Sequence, residues 1–487
     1  MRHCSAAQAA MCADPSPLGG SEPAPRSGPG PAARTGSTPA AGAWPGRPPG
    51  LPGAVPPPSV PLAFLAAASL GLVACGAAWA WAWGWAGSDP SADPVVAAVH
   101  LGVLATLATG VLGAVHQFTP VITGRPLRSV RLARLVFVTW LGASWLLPLG
   151  VATEQVTVTA ASGALAGLSL VLLAVNLAGP LAVRGKGTPV TALRLALAGA
   201  LSTSFLGVAF VGDRQRGWFV LSGHVDLAMG VLGLFGWLGL TYVGVAEKLW
   251  PMFLLAHLPG RHRSGRVAVW CLAVGVTLLA PALAWGADTL AWAGGVTTAA
   301  GLGAHLVSLA VHVRHRRRAV NLHLVFVLTA AAWVPVGAGL AVAAALVVPR
   351  HHHVGVALSA AALSAFGAWL LEALVGHAHK VVPFIVWSAL RARGVATGPS
   401  GAPLLFADLY DHRWAAASYG TLTCGVAALC TGLAVSAPPL VAIGGALLVA
   451  TGLVVAANLS AVPVRLLGRA AAPTGAQSPP SQPRVTG

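Results

Sequence analysis

The sequence predicts an all-α polytopic membrane protein with twelve transmembrane helices in three pseudo-symmetric four-helix units. Three observations predict it. Only 8% of the 487 residues are charged and 56% are hydrophobic, with a mean hydropathy of +0.75, whereas soluble domains carry about a quarter charged residues. The apolar residues gather in runs of about 20 or more, the length that crosses a bilayer as a helix. The basic residues gather in alternate loops. A net charge of +17 would suggest nucleic acid in a soluble chain; here a one-sided Lys/Arg bias accounts for it, and lipid rather than nucleic acid is the expected partner.

In order along the chain, residues 1–61 are rich in Pro, Gly, Ala and Ser and read as a disordered tail. The first apolar run begins only at Pro61, too late for a cleaved signal peptide. The transmembrane domain, 62–461, holds twelve apolar segments. They are expected at 62–86, 95–121, 132–152, 156–183, 190–212, 219–246, 266–286, 288–313, 321–348, 354–377, 413–435 and 438–461. Residues 462–487 read as a second tail. The cysteines, Cys4, Cys12, Cys75, Cys271, Cys424 and Cys430, form no CxxC pair, so neither a zinc site nor a disulfide framework is expected.

The loops fix an expected orientation. Apart from Arg214, Arg216 and Arg350, every Lys and Arg lies in the tails or in loops that share their side. Both termini are therefore expected in the cytoplasm, in the cell inner (plasma) membrane. Four tryptophans, Trp79, Trp81, Trp83 and Trp85, close the first span and suit an interfacial belt.

Three segments resemble one another: His100 to Pro120, Gly223 to Pro251 and His351 to Pro383. Each has histidine near its outer end, a Gly/Ala/Leu body, and a polar residue three before a proline (Gln117, Lys248, Lys380). The prolines are 131 and 132 residues apart, a period of four spans. Polar side chains inside spans are costly and tend to mark function, and neutral imidazole ligates iron and copper. His100, His224 and the run His351, His352, His353 are therefore the first candidates. Asp226 and Glu372 are candidate proton-relay or salt-bridge groups. A second set, His116, His377 and His379, lies at the inner ends beside Lys248 and Lys380, whose charge suits an anion, such as a haem propionate or a phosphate headgroup, better than a metal. His305 and His312 share a face of the eighth span. His323 opens the ninth, where an interfacial role is the ordinary reading.

This arrangement, with histidine on the second, sixth and tenth spans, resembles subunit I of the haem–copper oxidases, the superfamily that includes the nitric oxide reductases. The resemblance covers residues 62–461. It implies a low-spin haem held by His100 and His353 and a high-spin haem facing His351, so one or two haems, b-type by expectation. His224, followed by Asp226, matches the copper-binding segment only weakly, and His352 is a weak metal candidate. The other two copper histidines have no counterpart, and position 228 is alanine where a tyrosine would be cross-linked. Copper is therefore not carried over. What the resemblance implies is electron transfer, with oxygen or nitric oxide reduction at a haem site and electrons from a donor subunit or quinol. The alternatives are a cofactor-free proton-coupled secondary transporter and a non-catalytic member with the oxidase architecture.

Overall fold

The computed structural model describes residues 55–471 apart from 186, 218–223, 259–262, 396 and 399–401. Most of the N-terminal segment read as a disordered tail, with Cys4 and Cys12, lies outside the described residues, as do 472–487. Among the described residues, twelve helices are long and apolar enough to cross a membrane and there is no strand. The chain is an all-α polytopic membrane protein.

The spanning helices are α1 (Ser59–Trp81), α2 (Asp93–Thr123), α3 (Val130–Ala152), α4 (Val156–Leu181), α5 (Thr188–Arg216), α6 (Val225–Leu254), α7 (Ser264–Trp285), α8 (Asp288–Arg314), α9 (Leu322–Val347), α10 (His352–Ala392), α11 (His412–Ala434) and α12 (Pro438–Ala471). A short helix, Trp83–Ser88, follows α1, and Trp81, Trp83 and Trp85 are exposed there. The largest differences from the expected boundaries are at the sixth, tenth and twelfth spans, the sixth running to Leu254. The tenth span runs on to Ala392, and the twelfth helix continues to Ala471, past the start expected for a tail. In both cases the helix outlasts its hydrophobic stretch.

Pro120, Pro251 and Pro383 lie inside α2, α6 and α10 rather than at their ends. Proline is tolerated in membrane helices because neighbours re-satisfy the freed carbonyls. The polar residues just before these prolines are consequently held in regular helix. They lie toward the end of the bundle that carries the Arg-rich loops, called here the basic end.

Lipid offers no hydrophobic drive between helices, so close approach of small residues does much of the packing. Gly76 of α1 and Gly445 of α12 lie so close that a Cβ on either would fall 2.6 Å from the other's carbonyl oxygen. This contact locks the first helix against the last. Gly71 of α1 faces the Ala105 carbonyl of α2, and Gly199 of α5 faces the Gly236 carbonyl of α6; either glycine's Cβ would strike that oxygen. Both carbonyls belong to π-helical stretches, Leu101–Ala108 and Leu232–Gly239, which stand at the same distance before Pro120 and Pro251. The wider turn needs a neighbour without a side chain. In α2 it is also tied by threonines, with Thr106 and Thr109 hydroxyls donating to the Leu101 and Leu104 carbonyls at 3.2 and 2.8 Å.

Other contacts recur at matched positions. Asn176 of α4 accepts from the Ser129 backbone N–H at 2.9 Å, and Asn458 of α12 accepts from that of Asp411 at 2.8 Å, each 47 residues apart. Ser169 donates to Thr139 at 2.8 Å, and Thr451 to Thr421 at 2.9 Å, each 30 residues apart.

Candidate functional site

The histidines expected to hold haem sit at the end opposite the basic loops. His351, His352 and His353 are exposed where α10 begins, with the His352 and His353 rings 6.0 Å apart. His100 is half-buried on α2, and its Nδ1 engages the Val96 carbonyl at 2.8 Å. Asp226 lies within its electrostatic reach. No ring or hydrogen-bond contact joins His100 to His353. His224 is exposed and caps α6, and Asp226 is exposed one residue into that helix. Glu372 is fully buried near the middle of α10.

The structure gathers a different set at the basic end. His377 and His379 are two apart on α10, so their side chains point about 200° away from each other. His377 faces α6 and α9. Its ring lies 4.9 Å from that of His323 on α9, 5.8 Å from Tyr242 and 6.1 Å from Phe253, both on α6. Tyr242 also meets His305 of α8 at 5.4 Å and Trp369 of α10 at 5.6 Å. Trp250 of α6 covers His305 at 5.0 Å and His312 at 5.8 Å. His305 and His377 thus meet the same tyrosine, His323 meets His377, and Trp250 and Trp369 flank His305.

The nitrogens are the informative atoms. His377 Nδ1 engages the Ala373 carbonyl at 2.7 Å, which leaves Nε2 as the free lone pair. That Nε2 is buried without a partner, as is His323 Nε2, and both ring nitrogens of His305 are orphaned. A buried polar atom without a hydrogen bond is expensive, and here several gather in one cluster. Lys380 completes the site: its Nζ lies 5.5 Å from the Phe253 ring centroid, and Arg318 acts on it electrostatically. Beside this cluster, Glu247 of α6 accepts from the Ser308 hydroxyl of α8 at 2.6 Å.

His379, on the other face of α10, stacks on Phe326 of α9 at 5.7 Å, with Tyr410 at 6.0 Å. Tyr410 precedes α11, outside the spans, and burial raises its phenol above the ordinary value. In α2, His116 is stacked on Phe64 at 5.3 Å. Both histidines again have Nδ1 on a backbone carbonyl and a buried, unpartnered Nε2.

Among the described residues, no group of three or more His, Cys, Asp or Glu side chains is arranged to hold a bare metal ion. No protein-family model matches this sequence, and no curated protein matches it.

The sequence reading weighed His377 with His116 and His379 but ranked them second, and it took His323 as interfacial. One sequence pattern recurs at a common depth in the three helices. Aligned on Pro120, Pro251 and Pro383, the residue four before each proline is His116, Glu247 and His379, and the residue seven before is Gly113, Gly244 and Gly376. Each of those glycines lies against the preceding odd-numbered helix, where a Cβ would meet Phe64, Ala192 or Phe326.

Proposed function

We propose that this protein is a haem-binding integral membrane protein, with its haem site at the basic end between α6, α8, α9 and α10. The observation that carries the reading is the set of buried, unpartnered imidazole nitrogens of His305 and His377, which both meet Tyr242, and of His323, which meets His377. A porphyrin supplies four ligands of its own and asks the protein for only one or two axial imidazoles. That fits a cluster with no ready-made cage for a bare ion. The Lys380 cation beside the imidazoles opposes a naked metal ion and suits a metal that brings carboxylates with it. His377, with His305 or His323, would hold the haem iron, and Lys380 with Arg318 would hold its carboxylates.

Haem so bound would supply one-electron chemistry. The protein's part is ligation, burial of the ring among Tyr242, Trp250 and Trp369, and neutralisation of its carboxylates. On this reading the chain transfers electrons from a donor subunit or quinol, and oxygen or nitric oxide reduction at the iron is its oxidase-like extension. The matched contacts in α1–α4 and α9–α12, and the matched π stretches of α2 and α6, support the three-unit organisation that the oxidase resemblance implies. The Arg-rich loops support cytoplasmic termini in the inner membrane.

A reduced-minus-oxidised absorbance spectrum of protein purified from haem-replete cells tests this. A b-type spectrum is expected, lost in His377→Ala, weakened in Lys380→Ala, and kept in His100→Ala and His353→Ala. Loss in the last two with retention in His377→Ala would return the site to the opposite end. A well-folded, colourless wild-type protein would overturn the haem reading and leave the cofactor-free alternatives.

A further inference from the structure

Toward the basic end, the matched glycines Gly113, Gly244 and Gly376 each lie against a side chain of a different odd-numbered helix. In two of the three places that side chain is an aromatic ring, and it closes the cleft to the next odd-numbered helix. Phe64 of α1 meets Phe137 of α3 at 5.0 Å, and Phe326 of α9 meets Tyr419 of α11 at 5.1 Å. Hydrogen bonds tighten the last of these clefts. The Tyr419 hydroxyl shares a 2.8 Å bond with that of Thr329 of α9. Thr423 of α11 and Trp333 of α9 both donate to Glu372 Oε1, at 3.1 and 3.2 Å. In the third place the residue is Ala192 of α5, so a methyl group stands where the others have a ring.

Beside Ala192, between α5 and α7, lies a cavity of about 210 Å³, far more than the roughly 10–15 Å³ that one water needs. It is lined by Gly187, Thr188 and Thr191 at the start of α5 and by Arg266, Val269 and Trp270 of α7. Thr188 and Thr191 are three residues apart and Arg266 and Trp270 four, so each pair shares one helix face. Val269 is fully buried beneath them, while Arg266 is exposed and Trp270 is 50% exposed. Among the described residues, the lining holds one cation and no acid. Arg194, three residues beyond Thr191, is committed elsewhere: its guanidinium donates to the Leu181 and Val183 carbonyls at 2.8 Å. Along the same helix faces toward the middle of the bundle, Val274 of α7 and Phe205 of α5 are exposed.

We propose that the α5–α7 cavity binds the headgroup of an anionic phospholipid. The Arg266 guanidinium takes the phosphate oxygens, whose geometry its fork of donors matches. The hydroxyls of Thr188 and Thr191 offer further donors from the other wall. Trp270 stands where headgroup gives way to acyl chain, the ordinary place of an interfacial indole. The chains then follow the exposed apolar track of Val274 and Phe205. A free phosphate ion would use the arginine and leave the indole and that track idle. The Arg-rich loops of this end favour a negatively charged lipid over a zwitterionic one.

The test is native mass spectrometry of the full-length protein in detergent, titrated with phosphatidylglycerol or with phosphatidylcholine. Wild type is expected to retain one phosphatidylglycerol more tightly than any phosphatidylcholine. Arg266→Gln should weaken that binding about tenfold, the loss of one charged hydrogen-bond partner. Arg266→Lys, which keeps the charge without the fork, should weaken it less. Arg134→Gln, at an exposed arginine of α3 outside the cavity, should leave it unchanged. In bilayers, the tryptophan emission that Trp270→Phe removes should be quenched more by brominated phosphatidylglycerol than by brominated phosphatidylcholine. Equal retention or equal quenching by the two lipids overturns the proposal, and so do equal losses in Arg266→Gln and Arg134→Gln. Displacement of the lipid by inorganic phosphate overturns it in favour of the free ion. None of these readings depends on haem, so failure here and failure of the haem proposal are separate outcomes.

Discussion

Around His116, Phe64 of α1 stacks on the imidazole with its plane 19° away and meets Phe137 of α3 edge-on at 5.0 Å. Around His379, Phe326 of α9 stacks at the same 19° and meets Tyr419 of α11 edge-on at 5.1 Å. The frames coincide, and the chemistry does not. Phe137 in the first region becomes Tyr419 in the last. Eleven residues before the shared proline, α2 has Thr109 and α10 has Glu372. When Phe64 is set on Phe326, Gly71 falls on Trp333. In the first region the glycine lets α1 press on the π stretch of α2, and Trp140 of α3 satisfies Thr109 at 2.9 Å. In the last region the tryptophan fills that space, α10 is free of a π stretch, and its indole satisfies the buried acid. These substitutions, together with Thr329 in place of Ala67, distinguish a packing contact in the first region from a polar ladder in the last.

The largest effect that can break this comparison is at the close glycines. Gly71→Ala and Gly199→Ala put a methyl group on a backbone carbonyl that cannot yield without moving a helix. Each is expected to cost about 3 kcal/mol in stability, the upper end for overpacking. Gly163→Ala on α4 has open space around its Cβ and should be neutral or gain up to about 1 kcal/mol from helix propensity. Thermal unfolding in detergent, with the three variants side by side, checks this. Equal melting temperatures would mean that the glycine contacts do not hold the π stretches in place.

An intermediate effect separates the two ends of the chain at Asn176 and Asn458. Both accept a backbone N–H. Asn458 also donates from Nδ2 to the Asp411 carbonyl at 3.0 Å, while Asn176 Nδ2 is buried without a partner. Each hydrogen bond contributes about 1 kcal/mol net, so Asn458→Ala should destabilise by about 1 kcal/mol more than Asn176→Ala. The same unfolding measurement decides it, and the reverse order would show that the two loops are not equivalent.

The fold was legible in the sequence because lipid leaves so few choices. Long Leu/Ala/Val runs between Arg-rich loops can be little else than helices, and the twelve runs are the twelve spanning helices. The site was less legible because it depends on depth and azimuth within helices that look alike. Pro120, Pro251 and Pro383 read naturally as helix ends, which made His116 and His377 look like rim residues. Since the helices continue past those prolines, His116 is buried and His377 half-buried a turn or more inside. His351, His352 and His353, conspicuous as a run, prove exposed. His323 looked interfacial beside Arg314, Arg316, Arg317 and Arg318, yet its ring packs between Phe253 and His377. The Glu372 ladder could not be read at all, because Trp333, Thr423, Tyr419 and Thr329 come together from helices up to 90 residues apart.

The smallest effect is the sharpest, because it converts one region toward the other. Phe137→Tyr places in the first region the hydroxyl that Tyr419 carries in the last. The residue of α1 matching Thr329 is Ala67, so the new hydroxyl has no partner there, and leaving it unsatisfied should cost about 1 kcal/mol. Adding Ala67→Thr supplies the missing group. If the two frames are equivalent, the double variant recovers at least half of that loss, a coupling of about 0.5 kcal/mol or more measured as a double-mutant cycle. If the hydroxyls cannot meet, the two costs simply add. The cycle therefore asks whether a polar rung can be built into the α1–α2–α3 cleft by side chains alone, and additivity would mean that the backbones of α9 and α11 are set apart from those of α1 and α3 by more than their residues.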